Sequence, residues 1–174
     1  MTIVLGAAMT AQQDSRQKTI TWQDPLAAAE LGRAMPGLEY LTAIGEGRIP
    51  AAPISAHLGM RLVSVTDGEV VFAATPDESL YNPIGMIHGG VAATMLDSAV
   101  GCAVHTKLPA GVGYSSVELK VSYLKAIHPS AGEIRARGYV VKVGSRVGFA
   151  EAELRDEAGT LLATASGTCL VMRP

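Results

Sequence analysis

Residues 89–105 read Gly-Gly-Val-Ala-Ala-Thr-Met-Leu-Asp-Ser-Ala-Val-Gly-Cys-Ala-Val-His. The run is apolar on nearly every side at helical spacing, which marks a helix buried all round rather than laid on a surface. It is short for a membrane span and carries Asp97 near its middle, so it is read as one internal helix of a protein with no membrane partner. Working outward, the neighbouring segments are strands. Residues 60–65 and 69–74 are two β-branched runs around Thr66-Asp67-Gly68, a hairpin signal. A loop over 75–87, with Pro76, Asn82, Pro83 and Gly85, leads into the helix. Beyond it, strands are expected at about 114–124, 132–143, 147–155 and 161–171. In Ser116-Val117-Glu118-Leu119-Lys120-Val121-Ser122-Tyr123 polar and apolar residues alternate strictly, the mark of a strand with one buried face. One helix among many antiparallel strands predicts an α+β fold, a sheet wrapped around a central helix.

The N-terminal part reads differently. Residues 1–21 lack periodicity and are taken as a loose tail. Asp24-Pro25 is an N-cap followed by proline at the first helical position, opening a helix that runs through Leu31. A second helix from near Pro36 carries Leu38, Tyr40, Leu41 and Ile44 and stops at Gly45 and Gly47. Residues 49–53 form a connector. The chain is thus divided into a tail and helical extension, 1–54, and a main domain, 55–174.

Bulk properties narrow the function. The 174 residues suit one domain, and 48% apolar content can bury a core. A formal net charge of −2 with scattered basic residues gives no footprint for nucleic acid. Cys102 and Cys169 match no metal spacing and demand no disulfide, so neither a metal nor another cofactor is expected and a reducing cytoplasm is the default. Met1 to Met9 has no basic start, so no signal peptide is expected.

Asp97 is the most informative residue, because it is the one charged side chain between Gly89 and Val104. A carboxylate in such a setting needs a partner or a task. Its helical neighbours Ala93, Thr94 and Gly101 are small, so that face could border a cavity. The plain alternative is a helix edge meeting solvent, or satisfaction by Ser98. His88-Gly89-Gly90 opens the helix, where unpaired backbone N–H groups and a partial positive charge could polarise a carbonyl. The plain alternative is an ordinary glycine-rich loop. Asp97 lies eight residues past Gly89, about 12 Å along an ideal helix, so one carbonyl cannot meet both on the same helix. If both act on one substrate, a second chain supplies one of them, which points to a two-fold dimer with shared sites.

The segment Tyr81-Asn82-Pro83-Ile84-Gly85-Met86-Ile87-His88-Gly89-Gly90, then Leu96-Asp97-Ser98-Ala99, then residues 116–123 resembles the phenylacetate-degradation (PaaI-like) branch of the hot-dog thioesterases. The match spans roughly residues 55–172. The resemblance implies a hot-dog fold, with a curved antiparallel sheet around one long central helix, and activity as an acyl-CoA thioesterase. It also implies dimers with a continuous sheet that often pair into tetramers. Under it, Asp97 is the general base or nucleophile, the Gly89 N–H holds the carbonyl oxygen, and Asn82 positions or polarises the thioester. Ser116 hydrogen-bonds the attacking water or the carboxylate. His88 orients the loop, Gly90 adjoins the substrate, and Ser115 shares the register with Ser116 within one residue. The pocket's depth is expected to depend on Met95, Leu96, Tyr81, Met86 and the extension. The acyl group is read as aryl or medium-chain. Two rivals keep the fold: a non-catalytic acyl-thioester-binding protein, and a hydratase, which would place its histidine sooner after Asn82-Pro83.

Overall fold

In the computed structural model residues 15–173 are described, so most of the tail read over 1–21 lies outside the described residues. Residues 15–18 are not loose: Lys18 Nζ donates to Asp77 Oδ2 at 2.7 Å and Arg16 pairs with Glu78 at 3.0 Å, strapping this stretch across a single 3₁₀ turn at Glu78–Leu80. The extension forms α1 (Pro25–Ala34), capped as read by the Asp24 carboxylate accepting from the Leu26 N–H at 2.9 Å, and α2 (Gly37–Gly45). α1 continues one turn past Leu31. A third short helix, α3 (Pro53–Leu58), was not read from the sequence; Pro53 starts it and Gly59, at φ +62°, ends it.

Strands β1 (Met60–Thr66) and β2 (Glu69–Ala74) form the expected hairpin. The central helix α4 spans Gly89–His105, the bounds read from its sequence. β3 (Gly113–Tyr123), β4 (Ile134–Val143), β5 (Val147–Arg155) and β6 (Leu161–Met172) complete one six-stranded antiparallel sheet. Its order is β1-β2-β4-β5-β6-β3, which leaves β1 and β3 at the two edges. This curved sheet around a central helix is the hot-dog arrangement.

α4 presses close to the sheet because glycine faces it. A Cβ at Gly138 of β4 would lie 2.3 Å from the Ala99 carbonyl oxygen, and one at Gly167 of β6 would lie 2.7 Å from Val100 Cγ1. Met95, Leu96, Ala99, Val100, Ala103 and Val104 are fully buried there. The helix is not buried all round, however. Thr94, Asp97, Ser98, Cys102 and His105 form a half-buried stripe at helical spacing. α2 covers part of it by sending Leu41 into the core and by the Gly37 N–H donating to the Leu108 carbonyl at 3.0 Å.

The alternation read over 116–123 is interrupted. β3 carries a bulge between Ser116 and Glu118, and Val117 is 62% exposed instead of buried. The register is set by pairing with β6, which local sequence does not reveal. No helix among the described residues is long and apolar enough to cross a membrane.

Candidate active site

Asp97 faces a cavity of about 240 Å³ between α4, β3 and the extension. Its walls are mostly apolar, with Leu41 and Ile44 from α2, Ile54 from α3, and Met60, Leu62 and Phe72 from the hairpin. Asp97, Ser98, Cys102, Tyr114, Ser116 and Ser55 supply the polar atoms. Among the described residues the Asp97 carboxylate accepts no hydrogen bond, and no Lys, Arg or His lines the cavity. Its neighbours stay neutral. Burial pushes the Cys102 thiol up to about 11, opposed by Tyr114 and reinforced by the Asp97 charge. Burial likewise raises the Tyr114 hydroxyl well above the usual value. The Cys169 thiol is raised by burial too, with the Ser116 hydroxyl beside it pulling the other way. A carboxylate without ion pair or donor is a base with free lone pairs.

The two serines lie on opposite faces of β3. Tyr114 and Ser116 line the cavity, and Ser115, between them, faces the opposite side of the sheet opposite Leu170. Cys102 is half-buried on the wall. Met95 and Leu96 do not line the pocket; both are fully enclosed in the core. The extension does line it. Ser98, Ser55 and Tyr114 were not read as site residues. For Tyr114 a signal existed, since it lies two residues from Ser116 on one strand face.

The second cluster sits at the start of α4. The Asn82 Oδ1 accepts from the Ile84 N–H at 3.1 Å and the Met86 N–H at 3.0 Å, folding the loop on itself, with Gly85 at φ +77°. Asn82 therefore serves as a turn residue through its oxygen, while its Nδ2 amide finds no acceptor among the described residues. His88 caps the helix, its Nδ1 accepting from the Gly90 N–H at 2.8 Å, which leaves the ring proton on Nε2. With Gly90 occupied, the Gly89 N–H is the open donor of this first turn, with no acceptor among the described residues. The Tyr123 hydroxyl donates to the Gly89 carbonyl at 3.2 Å, and a Cβ at Gly89 would lie 3.3 Å from that ring.

These two clusters are separate in one chain. No residue from 82–90 lines the Asp97 cavity, and unbroken α4 holds Gly89 and Asp97 about 12 Å apart. A larger depression of about 560 Å³ lies on the outer sheet face, but its Arg135, Arg137 and Arg155 are paired with Glu133, Glu69 and Glu153. Among the described residues no cluster of His, Cys, Asp or Glu could hold a metal.

Comparison with known proteins gives concordant matches. The profile of the thioesterase superfamily matches residues 84–163. A protein of Halobacterium salinarum assigned as an esterase is 37% identical over 129 residues, covering 68% of this chain and 83% of that protein. Human acyl-coenzyme A thioesterase 13 is 31% identical over 59% of this chain and 72% of its own length. Among solved structures, a phenylacetic acid degradation-related protein of Ralstonia eutropha JMP134, assigned as a thioesterase, superposes with a TM-score of 0.69. It is 27% identical and the match covers 75% of this chain and 98% of that one.

Proposed function

The chain belongs to the thioesterase superfamily, and from that premise we propose that it hydrolyses aryl- or medium-chain acyl-coenzyme A to the free acid and coenzyme A, in a dimer whose sites are shared. One observation carries the reading: the Asp97 carboxylate, unpaired among the described residues, opens on an apolar cavity able to take an acyl group. The coenzyme A part of the proposal comes from the named human relative.

The Gly89 N–H at the head of α4, with the helix dipole behind it, receives the thioester carbonyl oxygen. Asn82 Nδ2 orients the thioester beside it. The partner subunit's Asp97 takes a proton from water, whose oxygen bonds to the carbonyl carbon; the resulting oxyanion rests on the Gly89 N–H. Collapse breaks the C–S bond, and the thiolate of coenzyme A leaves with the proton from the partner's Asp97. Ser116, on the same cavity wall as Asp97, holds the water. If Asp97 instead attacks directly, a mixed anhydride forms on it and water then cleaves that anhydride. Single turnover in ¹⁸O-water tests for direct attack, since label enters the Asp97 carboxylate only when water cleaves such an anhydride at the Asp97 carbonyl.

The separation along α4 supports sharing, and β3 offers the means. It is a long edge strand, half of it exposed, with Val117 outermost. Pairing two such edges removes an aggregation hazard and brings the start of one α4 toward the middle of the other. The two free thiols fit a reducing cytoplasm.

The test is free-thiol release from a panel of acyl-coenzyme A substrates, wild type beside Asp97→Asn. Hydrolysis of some member by wild type, reduced by orders of magnitude in a folded Asp97→Asn, supports the proposal. Equal activity of the two proteins overturns the mechanism, and binding without hydrolysis by either overturns the reaction.

A further inference from the structure

Tyr114 stands between two cavities. On one side is the space before Asp97; on the other, a cavity of about 450 Å³ lies beneath α1 and α2 at the C-terminal end of α4. Tyr40, His105, Val112 and Met172 help to line this second space, and among the described residues Tyr114 alone lines both. The ring is placed by shape. α4 carries glycine at position 101, where a Cβ would lie 2.6 Å from Tyr114 Cε2 and 2.9 Å from its hydroxyl oxygen. On its other side the ring leans on His105, centroids 5.3 Å apart, and His105 leans in turn on Tyr40 at 5.8 Å. The hydroxyl makes only a long contact, 3.9 Å, to Cys102 Sγ.

We propose, resting on the thioesterase reading, that the Tyr114 ring is the end wall of the acyl pocket and sets the longest acyl chain the site accepts. The first cavity is polar at Asp97 and Ser116 and apolar along Leu41, Leu62 and Phe72, so a thioester at one end and a hydrocarbon along the rest match it. At about 240 Å³ it is smaller than the roughly 300–1,000 Å³ common for small-molecule sites. Removing the ring would join it to the space under the extension and bring it into that range. Gly101 and Tyr114 act as a pair, one yielding the room the other fills. The N-terminal helices thereby become a latent continuation of the pocket.

The test measures binding of non-hydrolysable acyl-coenzyme A thioethers of increasing straight-chain length to the full chain, in parallel with thiol release from the matching thioesters. For wild type, affinity should rise about fourfold per added methylene, the yield of burying one CH₂, and then fall beyond a limiting length. In Tyr114→Ala the rise should continue for several more carbons. Tyr114→Leu, which lacks the ring but keeps an apolar side chain on the strand, should do the same and serves if the alanine variant does not fold. Tyr114→Phe, which keeps the wall, should retain the wild-type limit. An unchanged limit in the Ala and Leu variants, no limit in wild type, or no binding of any thioether overturns the inference. If the thioethers bind with the expected length pattern but no thioester is cleaved, the hydrolase reading fails and the role of Tyr114 stands.

Discussion

At the first turn of α4 a set of hydrogen bonds fixes the loop and the helix start, whereas at Asp97, about two turns on, the polar group is matched by none among the described residues. Asn82 closes its own loop through its oxygen, His88 caps Gly90, and Tyr123 holds the Gly89 carbonyl, which leaves the Gly89 N–H and the Asn82 amide open among the described residues. Around Asp97 the walls are mostly apolar side chains drawn from the extension and the hairpin, with Tyr114 and Ser116 from β3. The first region is held mainly by hydrogen bonds within residues 80–90, with Tyr123 and Ile127 tying it to the rest of the chain. The second is held by packing between segments far apart in sequence. A group fixed by bonds tolerates little change in its neighbours; a group left unsatisfied by packing is present at a cost to stability, which is the usual mark of a working residue.

The sharpest break of this contrast is Asp97→Asn. General-base loss should lower kcat/KM by about 10²–10⁴. Because no hydrogen bond or ion pair is lost, the variant should also unfold later, by about 1 kcal/mol in denaturant titration. A variant that is less active and less stable would mean that Asp97 is held by a partner. Next comes Gly89→Pro. Position 89 is the first of the helix and His88 is extended at ψ 137°, so proline suits the backbone while deleting the N–H, and the exposed Tyr123 ring, 3.3 Å from the new Cβ, has to give slightly. Steady-state kinetics should show kcat down about 10²–10³ with helix content kept in circular dichroism.

Mixing the two inactive variants under subunit exchange should restore activity to about one quarter of wild type, since half the random dimers are mixed and each has one intact site of two. No recovery would place both groups in one chain. Leu96→Ala, one residue from Asp97 but in the closed core, should lose about 3 kcal/mol of stability and leave the activity per folded molecule unchanged. The smallest effect concerns His105. Burial lowers its pKa below 6.5, so the fold prefers the neutral ring, and its contribution is complete above that value and shrinks as pH falls below it. Melting of wild type should decline more steeply than that of His105→Gln between about pH 8 and about pH 5.

The sequence already displayed what depends on neighbours in the chain. α4 begins and ends where its apolar run does, the Asp24 cap lies where Asp-Pro put it, and the hairpin turns at Asp67-Gly68. Asp97 was conspicuous because charge in an apolar helix is costly wherever the helix packs. What stayed hidden depends on partners distant in the chain. The bulge at Val117 follows from the register with β6, so the alternation read there predicted burial for a residue that is exposed. Met95 and Leu96 flank the half-buried stripe of Thr94, Asp97, Ser98 and His105, and whether such flanking residues border the cavity depends on how distant segments cover the helix. α3 is six residues long, too short for periodicity to mark.

The glycines under α4 have a consequence for any survey of single substitutions across the chain. Gly138 and Gly167 face the helix with no room for a methyl group, so replacements there would be tolerated as poorly as replacements of Asp97. A map of loss of function would then show three equally dark positions with two different causes. Reading abundance beside activity separates them, because the glycine variants should be lost from the folded pool whereas, on the proposed role of Asp97, the aspartate variants should persist in it, folded and idle.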